Sequence, residues 1–395
     1  MIRVAVFGAS SLVGLTVIER LLKKPEYEIR PVIHSPGNAW GLIRQGLPLM
    51  QADMADPTQL AQAIDGYTHV INCALPQPTK LIRNLLDVCL HQKVDRVVNL
   101  SCVAVYGIEP GAECAHEDAP LKSPRTSYGT DKLKQDRILE KYVSKGLSCA
   151  NLCPPAIIGC RSDYLTEIIQ HLRNGTLALI DEGNRPINLV HVTNLAAAIE
   201  LALCAQSVDG KRTFITDAEP TKWADLVREL MPLADGADPP RSIPEELARG
   251  LCAKRETSVS LKKIVQSIIA NPEIKAQMKK NPGIRFIHRT LKSGQQLLPG
   301  RILDSLKGSG ISMAKSNDNP WRTANTCFIE QQLQNVRHLT DKAEKQLNYQ
   351  PETGFAEGMD LFRQWYRNYT GYGDEYWALH RELHRTMTSR NLVTH

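Results

Sequence analysis

Tyr128 and Lys132 stand four residues apart in Ser127–Val143, whose apolar spacing (Tyr128, Leu133, Ile138, Leu139, Val143) predicts a helix ending near Gly146. Residues i and i+4 share a helix face, which puts the ammonium near the phenol. A neighbouring cation favours phenolate and lowers a tyrosine pKa from about 10 toward working pH. Such a phenol exchanges a proton with an alcohol or a ketone, a general acid–base task. The spacing alone recurs by chance in long helices, so its weight comes from the elements around it.

Those elements alternate. Strand-like runs at Ile2–Phe7, Ile29–His34, Pro48–Ala52, His69–Cys73, Arg96–Ser101, Ser148–Leu152 and Arg212–Thr216 enclose helical patterns at Leu12–Leu22, Pro57–Ile64, Thr79–Cys89 and Ser127–Val143. Asp56-Pro57 suits an N-cap followed by Pro at the first helical position. The alternation predicts a parallel sheet with helices on both faces and a ligand at the carboxyl ends of its strands. At the first strand–helix turn lies Gly8-Ala-Ser-Ser-Leu-Val-Gly14. Gly8 permits a tight turn and Gly14 close packing, while the helix start faces a pyrophosphate. Ser11 replaces the middle glycine of the usual three. Twenty residues after Gly14, at His34 and Ser35, no acid awaits a ribose 2′-OH. That leaves room for a 2′-phosphate, with His34, Ser35 or Arg44 as partners, and tilts the reading from NAD to NADP.

The 395 residues suffice for one large domain and a second lobe, and no apolar run approaches the roughly 18 residues of a membrane span. The N-terminus enters a strand pattern at once, without a signal-peptide pattern. Ten scattered cysteines, with no CxxC pair and no ligand-spaced histidines, argue for reduced thiols and against a zinc site. The expected location is cytoplasmic, with no bound metal. The net charge of +6 is concentrated between 254 and 307, where twelve Lys and Arg face three acids.

Seven pieces in register make the chain from Met1 to about Met231, with the block near Thr340–Tyr366, resemble an extended short-chain dehydrogenase/reductase of the epimerase/dehydratase type. They are GASSLVG (8–14), Asp53-Met54-Ala-Asp56, VINCA (70–74), SCVAVYG (101–107), YGTDK (128–132), CPPAIIG (153–159) and LVHVTNLAAAI (189–199). Lys342–Pro351 looks like the family's late substrate-lobe segment. The resemblance implies that Gly8, Ser10, Ser11, Leu12 and Gly14 frame the pyrophosphate, and that Asp53 and Met54 flank the adenine. Cys73, Ala74 and Ser101 would line the cofactor's path, and Pro154 to Ile157 would close over the nicotinamide. Tyr128 and Lys132 would be the catalytic pair that also meets the cofactor. Helices 79–89 and 127–143 would pair in a homodimer.

Several positions depart from the family's pattern. Its third catalytic residue is a Ser or Thr at the position of Cys102, and a thiol is the weaker, longer donor. Ser101 is the adjacent hydroxyl, but strand alternation points it to the other side. Cys102 then acts as a slower donor, as a nucleophile, or marks a cofactor-binding regulatory protein without turnover. Cys153 stands where the family often has Arg, Pro155-Ala156 replaces a sugar-type Asn, and Asn194 replaces an acid.

The expected fold is α/β: a Rossmann-type doubly wound parallel sheet with a smaller C-terminal substrate lobe carrying a basic, mainly helical insertion. The expected division is 1–232, 233–330 and 331–395. The insertion points first to an anionic, nucleotide-linked sugar that is epimerised, dehydrated or reduced. An apolar, steroid- or lipid-like ketone or alcohol is the alternative. Membrane-surface or carrier-protein contact by the insertion is open, and the scarcity of interleaved aromatics argues against nucleic acid. The aromatic tail (Trp365, Tyr366, Tyr369, Tyr372, Tyr376, Trp377) reads as packing.

Overall fold

The computed structural model describes residues 1–36, 39–43, 45–74, 79–121, 124, 126–256, 325–371 and 393–394. Arg44, the basic insertion beyond 256 and the tail residues Tyr372, Tyr376 and Trp377 lie outside the described residues.

The first half runs β1 (Ile2–Phe7), α1 (Leu12–Leu21), β2 (Tyr27–Ile33), α2 (Trp40–Ile43), β3 (Leu49–Gln51), α3 (Pro57–Ile64), β4 (His69–Asn72), α4 (Lys80–His91), β5 (Arg96–Leu100), α5 (Ser127–Val143) and β6 (Cys149–Cys153). Alternation along β1 sends Val4 and Val6 into one apolar layer and Ala5 and Phe7 into the other. The first layer also takes Val17 and Ile18 of α1; the second takes Leu60 of α3, Leu85 of α4 and Leu139 of α5. Burying each such side chain contributes about 1.5–3 kcal/mol, so the sheet is held from both faces. Asp56 caps α3 as its sequence predicts, accepting from Thr58 N at 2.8 Å and Gln59 N at 3.3 Å.

The second half continues with β7 (Ala156–Ile158), α6 (Asp163–Arg173), β8 (Ala178–Ile180), β9 (Pro186–Ile187), β10 (Leu189–His191), α7 (Val192–Cys204), β11 (Arg212–Phe214), β12 (Thr221–Lys222), α8 (Trp223–Leu230), β13 (Arg241–Ile243) and α9 (Glu245–Glu256). After the undescribed stretch come α10 (Thr326–Leu333), α11 (Asp341–Leu347), α12 (Phe355–Gly371) and β14 (Val393–Thr394). The large sheet has the order β11-β6-β5-β4-β1-β2-β3-β14, with parallel pairing throughout. Strand order reverses between β1 and β4, which places a ligand crevice at the carboxyl ends of these strands. Buried residues of α6, α8, α10 and α12 make a separate apolar cluster, with Tyr366 4% exposed in it.

Residues Met1–Glu245 with Cys327–His395 form one compact unit, and Glu246–Thr326 forms a second. Some bounds differ from expectation. The third strand is Leu49–Gln51, and the fourth helix runs Lys80–His91. The C-terminal block holds two helices, α11 ending where Asn348 adopts the left-handed conformation (φ 55°) ahead of Pro351. Among the described residues, no helix is long and apolar enough to cross a membrane.

Candidate active site

The turn between β1 and α1 needs both of its glycines. Gly8 has φ +71°, and a Cβ there would lie 2.6 Å from Ala74 N; one on Gly14 would lie 2.3 Å from Gly8 O. Ser11 needs no such freedom. It has φ −72°, ψ 164° and caps α1, its hydroxyl accepting from Gly14 N at 3.1 Å. The side chain expected to frame a pyrophosphate therefore serves the helix. The N–H groups of Leu12 and Val13, at the first two helical positions, have no intrahelical acceptor and lie at the positive end of the helix dipole, where an anion is favoured.

Around this turn lie Ser10, half-buried, and Cys73, buried, with Ala74. Burial pushes the Cys73 thiol up to about 12. His34 and Ser35 are exposed just beyond β2, and Asp53 is exposed with Oδ1 accepting from Ala55 N at 2.8 Å. Met54 is buried in the layer between the sheet and α3 and α4. A backbone cradle that any Cβ would fill fits the close approach of a nicotinamide dinucleotide's pyrophosphate.

The second half of the site is built where α5 meets the turn after β5. Thr126 caps α5, its Oγ1 accepting from Gly129 N at 3.0 Å. A Cβ on Gly129 would lie 2.4 Å from Ala104 O, so only glycine lets α5 come this close. That approach sets the Tyr128 phenol beside the Cys102 thiol, close enough for each to perturb the other's titration. Cys102 sits in extended conformation (φ −162°, ψ 145°) and caps a short 3₁₀ turn, Val103–Tyr106. Its Sγ accepts from Ala104 N at 3.5 Å. Burial raises its pKa, which favours the protonated thiol.

Lys132 departs from expectation. It is 3% exposed, and its Nζ donates to Leu100 O at 2.8 Å. Burial lowers its pKa against the pull of Cys102 and Asp136. The Tyr128 phenol is not lowered: desolvation first, then the Cys102 thiol, raise it well above the ordinary phenol range. Tyr128 is therefore a protonated donor at neutral pH.

Ser101 faces away from this pair. It is 3% exposed, and its hydroxyl donates to Asp136 Oδ2 at 2.9 Å. Asp136 also accepts from Asn151 Nδ2 at 3.0 Å and from Arg212 Nη1 at 3.3 Å. From Asn151 a ladder of buried amides crosses the sheet. Asn99 donates to Asn151 at 2.9 Å, and Asn72 donates to Asn99 at 2.8 Å. Ala74 N donates to Asn72 Oδ1 at 3.3 Å, which ties the ladder to the floor under Gly8. Sequence reasoning missed this network. Its signal is one asparagine in each of three largely apolar, sequential strands.

Tyr128 and Cys102 open on a cavity of about 330 Å³. Its apolar wall includes Val103, Ile108, Pro155, Ala156, Ile187 and Trp223, and α10 adds Glu330 and Gln331. Pro154 itself is buried, accepting from Val103 N at 3.2 Å, and Ile157 packs on the layer of α1 and α7. The residues of CPPAIIG that reach the cavity are thus Pro155 and Ala156. Gln332 clamps α10 in place, donating to Ala178 O at 2.8 Å and accepting from Ile180 N at 2.7 Å.

Residues 4–215 match the model of the NAD dependent epimerase/dehydratase family, more than half of the chain. The chain belongs to that family. Among relatives of this epimerase/dehydratase-family protein is the 2-alkyl-3-oxoalkanoate reductase of Shewanella oneidensis, 23% identical over 283 residues, 65% of this chain and 72% of the relative. The 2′-dehydrokanamycin reductase of Streptomyces kanamyceticus is 24% identical over 267 residues, 62% and 71% of the two chains. In fold the chain is similar to the UDP-glucuronic acid 4-epimerase of Bacillus cereus in complex with NAD, with TM-score 0.60 and 14% identity, covering 92% of this chain and 100% of that one. It is also similar to the dTDP-glucose 4,6-dehydratase of Streptomyces venezuelae, with TM-score 0.62 and 18% identity, covering 94% and 98%. The protein is a nicotinamide-dinucleotide-dependent oxidoreductase of the extended short-chain dehydrogenase/reductase type.

Proposed function

We propose that this enzyme reduces the ketone of a largely apolar small molecule to a secondary alcohol. The observation that carries the reading is the Tyr128 phenol, 39% exposed, which lies beside the Cys102 thiol and opens on an apolar-walled cavity. Tyr128 gives its proton to the carbonyl oxygen as the alkoxide forms, a general-acid step. Cys102, in contact with Tyr128 on the same wall, orients that oxygen as a weak donor. Lys132 sets the electrostatics of the thiols and of Asp136 from beneath. When bound, the dinucleotide supplies the hydride. Leu12 and Val13 N–H would hold its pyrophosphate above Gly8 and Gly14, with Asp53 and Met54 at the adenine end.

The two relatives named as reductases support the direction of the reaction. The absence of an acid at His34 and Ser35 favours NADP. We place the enzyme in the cytoplasm as a homodimer through α4 and α5. Steady-state oxidation of NADPH with a panel of linear and cyclic ketones tests the proposal. Turnover of apolar ketones that disappears in Tyr128→Phe supports it, and inertness toward the whole panel sinks it.

A second reading is epimerisation or dehydration of a nucleotide-linked sugar. The fold neighbours solved with UDP-glucuronic acid and NAD, together with the basic stretch 254–307, favour it. Oxidised cofactor that co-purifies with the protein, combined with conversion of UDP-sugars without net oxidation, would establish it instead.

A further inference from the structure

The lining of the Tyr128 cavity is of two kinds. Val103, Ile108, Pro155, Ala156 and Ile187 are apolar, whereas α10 contributes Cys327, Glu330 and Gln331. These three stand at i, i+3 and i+4, on one helix face. Other residues hold α10 in place: Phe328 packs edge-on to Tyr164, His171 and Trp223, and Gln332 spends its amide on Ala178 and Ile180. The Gln331 amide is half-buried and only partly used. Its Oε1 accepts from the Tyr164 hydroxyl at 2.7 Å, while Nε2 donates to Cys327 Sγ at 4.0 Å. Tyr164 and Cys327 line the same cavity, and Cys327 is exposed, so the amide end is held at an accessible part of the wall. An amide nitrogen carries two hydrogens, and a thiol is a weak acceptor. With Oε1 taken by Tyr164, what Gln331 has left to offer is a donor.

We infer that Gln331 Nε2–H binds an uncharged oxygen acceptor, such as an ester or amide carbonyl, on the same molecule whose ketone meets Tyr128. The neutral character follows from the neighbours. Among the described lining residues there is no Lys or Arg, and Glu330, beside Gln331 in the chain, is the one carboxylate. A free carboxylate or a diphosphate would meet repulsion there without a compensating cation. The substrate class is a ketone with a second, neutral carbonyl and an otherwise apolar body. Gln331 selects it by hydrogen bonding, apart from the proton transfer at Tyr128. This inference rests on the reductase reading above.

Ethyl 3-, 4- and 5-oxohexanoate are compared with 4-, 3- and 2-nonanone, which keep the chain length and ketone position but lack the ester. The wild-type enzyme should favour at least one ester in kcat/KM by roughly tenfold or more. Gln331→Met, similar in length but without the donor, should bring that ester down to the level of its nonanone. A second measurement does not depend on how that variant folds. In wild-type protein ¹⁵N-labelled at glutamine and saturated with NADP, the side-chain amide pair missing from the Gln331→Glu spectrum should move with the favoured ester and stay put with its nonanone. Equal use of esters and nonanones by the wild type, an ester preference that survives in Gln331→Met, or an amide pair indifferent to every ester overturns the assignment. Each of these leaves the reductase standing. If the wild type turns over none of the six ketones, the reductase reading falls and takes this inference with it.

Discussion

The Tyr128 phenol meets the Cys102 thiol, while the Lys132 ammonium one helical turn away is held by the carbonyl of Leu100 at 2.8 Å. In the proposed reaction the pair that sequence spacing unites divides two tasks, proton donation and support of the strand end. Replacing Cys102 by Ser should raise kcat for ketone reduction about three- to tenfold, since a hydroxyl is the better donor. Tyr128→Phe should lower kcat roughly 10²–10⁴-fold. Steady-state kinetics on both variants checks this; a Cys102→Ser enzyme slower than wild type would show that the thiol itself is needed.

Because burial raises the Tyr128 pKa, its proton-donating form persists throughout the neutral range. Reduction should therefore hold level from weakly acid to weakly alkaline solution and decline only beyond the ordinary phenol range of about 10. A kcat profile with a loss centred near neutrality would contradict this.

Two buried histidines set the acid limit of stability. His191 and His338 are each 2% exposed and lowered from 6.5 to about 4. Burial causes both shifts, so the folded state holds them neutral. Their contribution is complete above pH 6.5 and is lost as pH falls toward 4, about 3 kcal/mol apiece at one pKa unit per 1.36 kcal/mol. Asp217 works in the opposite sense. Burial raises it from 3.8 to about 6, so its proton uptake favours the folded state over that interval by a similar amount. The net loss from pH 6.5 to 4 should be about 3 kcal/mol. Denaturant unfolding across that range measures it, and His338→Gln should flatten the slope.

At the phosphate turn, Gly8→Ala and Ser11→Ala should behave differently. The first drives a methyl into Ala74 backbone at a positive φ, and the second removes one cap bond. Ser11→Ala should cost about 0.5–2 kcal/mol and keep dinucleotide binding. Gly8→Ala should abolish binding, as titration with NADPH and NADH would show.

Asp136 gathers Ser101, Asn151 and Arg212 in a site 1% exposed. Asp136→Ala should destabilise the fold by about 3–5 kcal/mol, as expected when a buried ion pair loses one partner. Ser101→Ala should cost about 1 kcal/mol. Equal losses by chemical unfolding would mean that Arg212 is held by other groups.

What was legible in the sequence was what local pattern controls. β1 and the helices Pro57–Ile64 and Ser127–Val143 lie where periodicity and the Asp56-Pro57 cap put them. Gly8 and Gly14 were readable because backbone crowding permits no other residue. The cap that Ser11 makes was not read from the sequence, because capping and anion binding draw on the same residue types at a helix start. The Lys132–Leu100 bond and the Asn72–Asn99–Asn151 ladder join residues 27 to 52 positions apart, and no local pattern reports such pairs. The α10 wall of the cavity escaped notice because it follows the basic stretch, far along the chain from Tyr128.

The amide ladder carries a consequence for how the sheet finds its alignment. The middle strands are apolar on both faces, with every residue of β5 and β6 buried, so hydrophobicity does not distinguish one offset from the next. A slip of one strand by one residue would turn its asparagine to the opposite face and leave the neighbouring amides without their partners. Asn72, Asn99 and Asn151 thus act as alignment pins. They reject the near-miss pairings that greasy strands would otherwise accept, and they make correct closure of β4, β5 and β6 an all-or-none event.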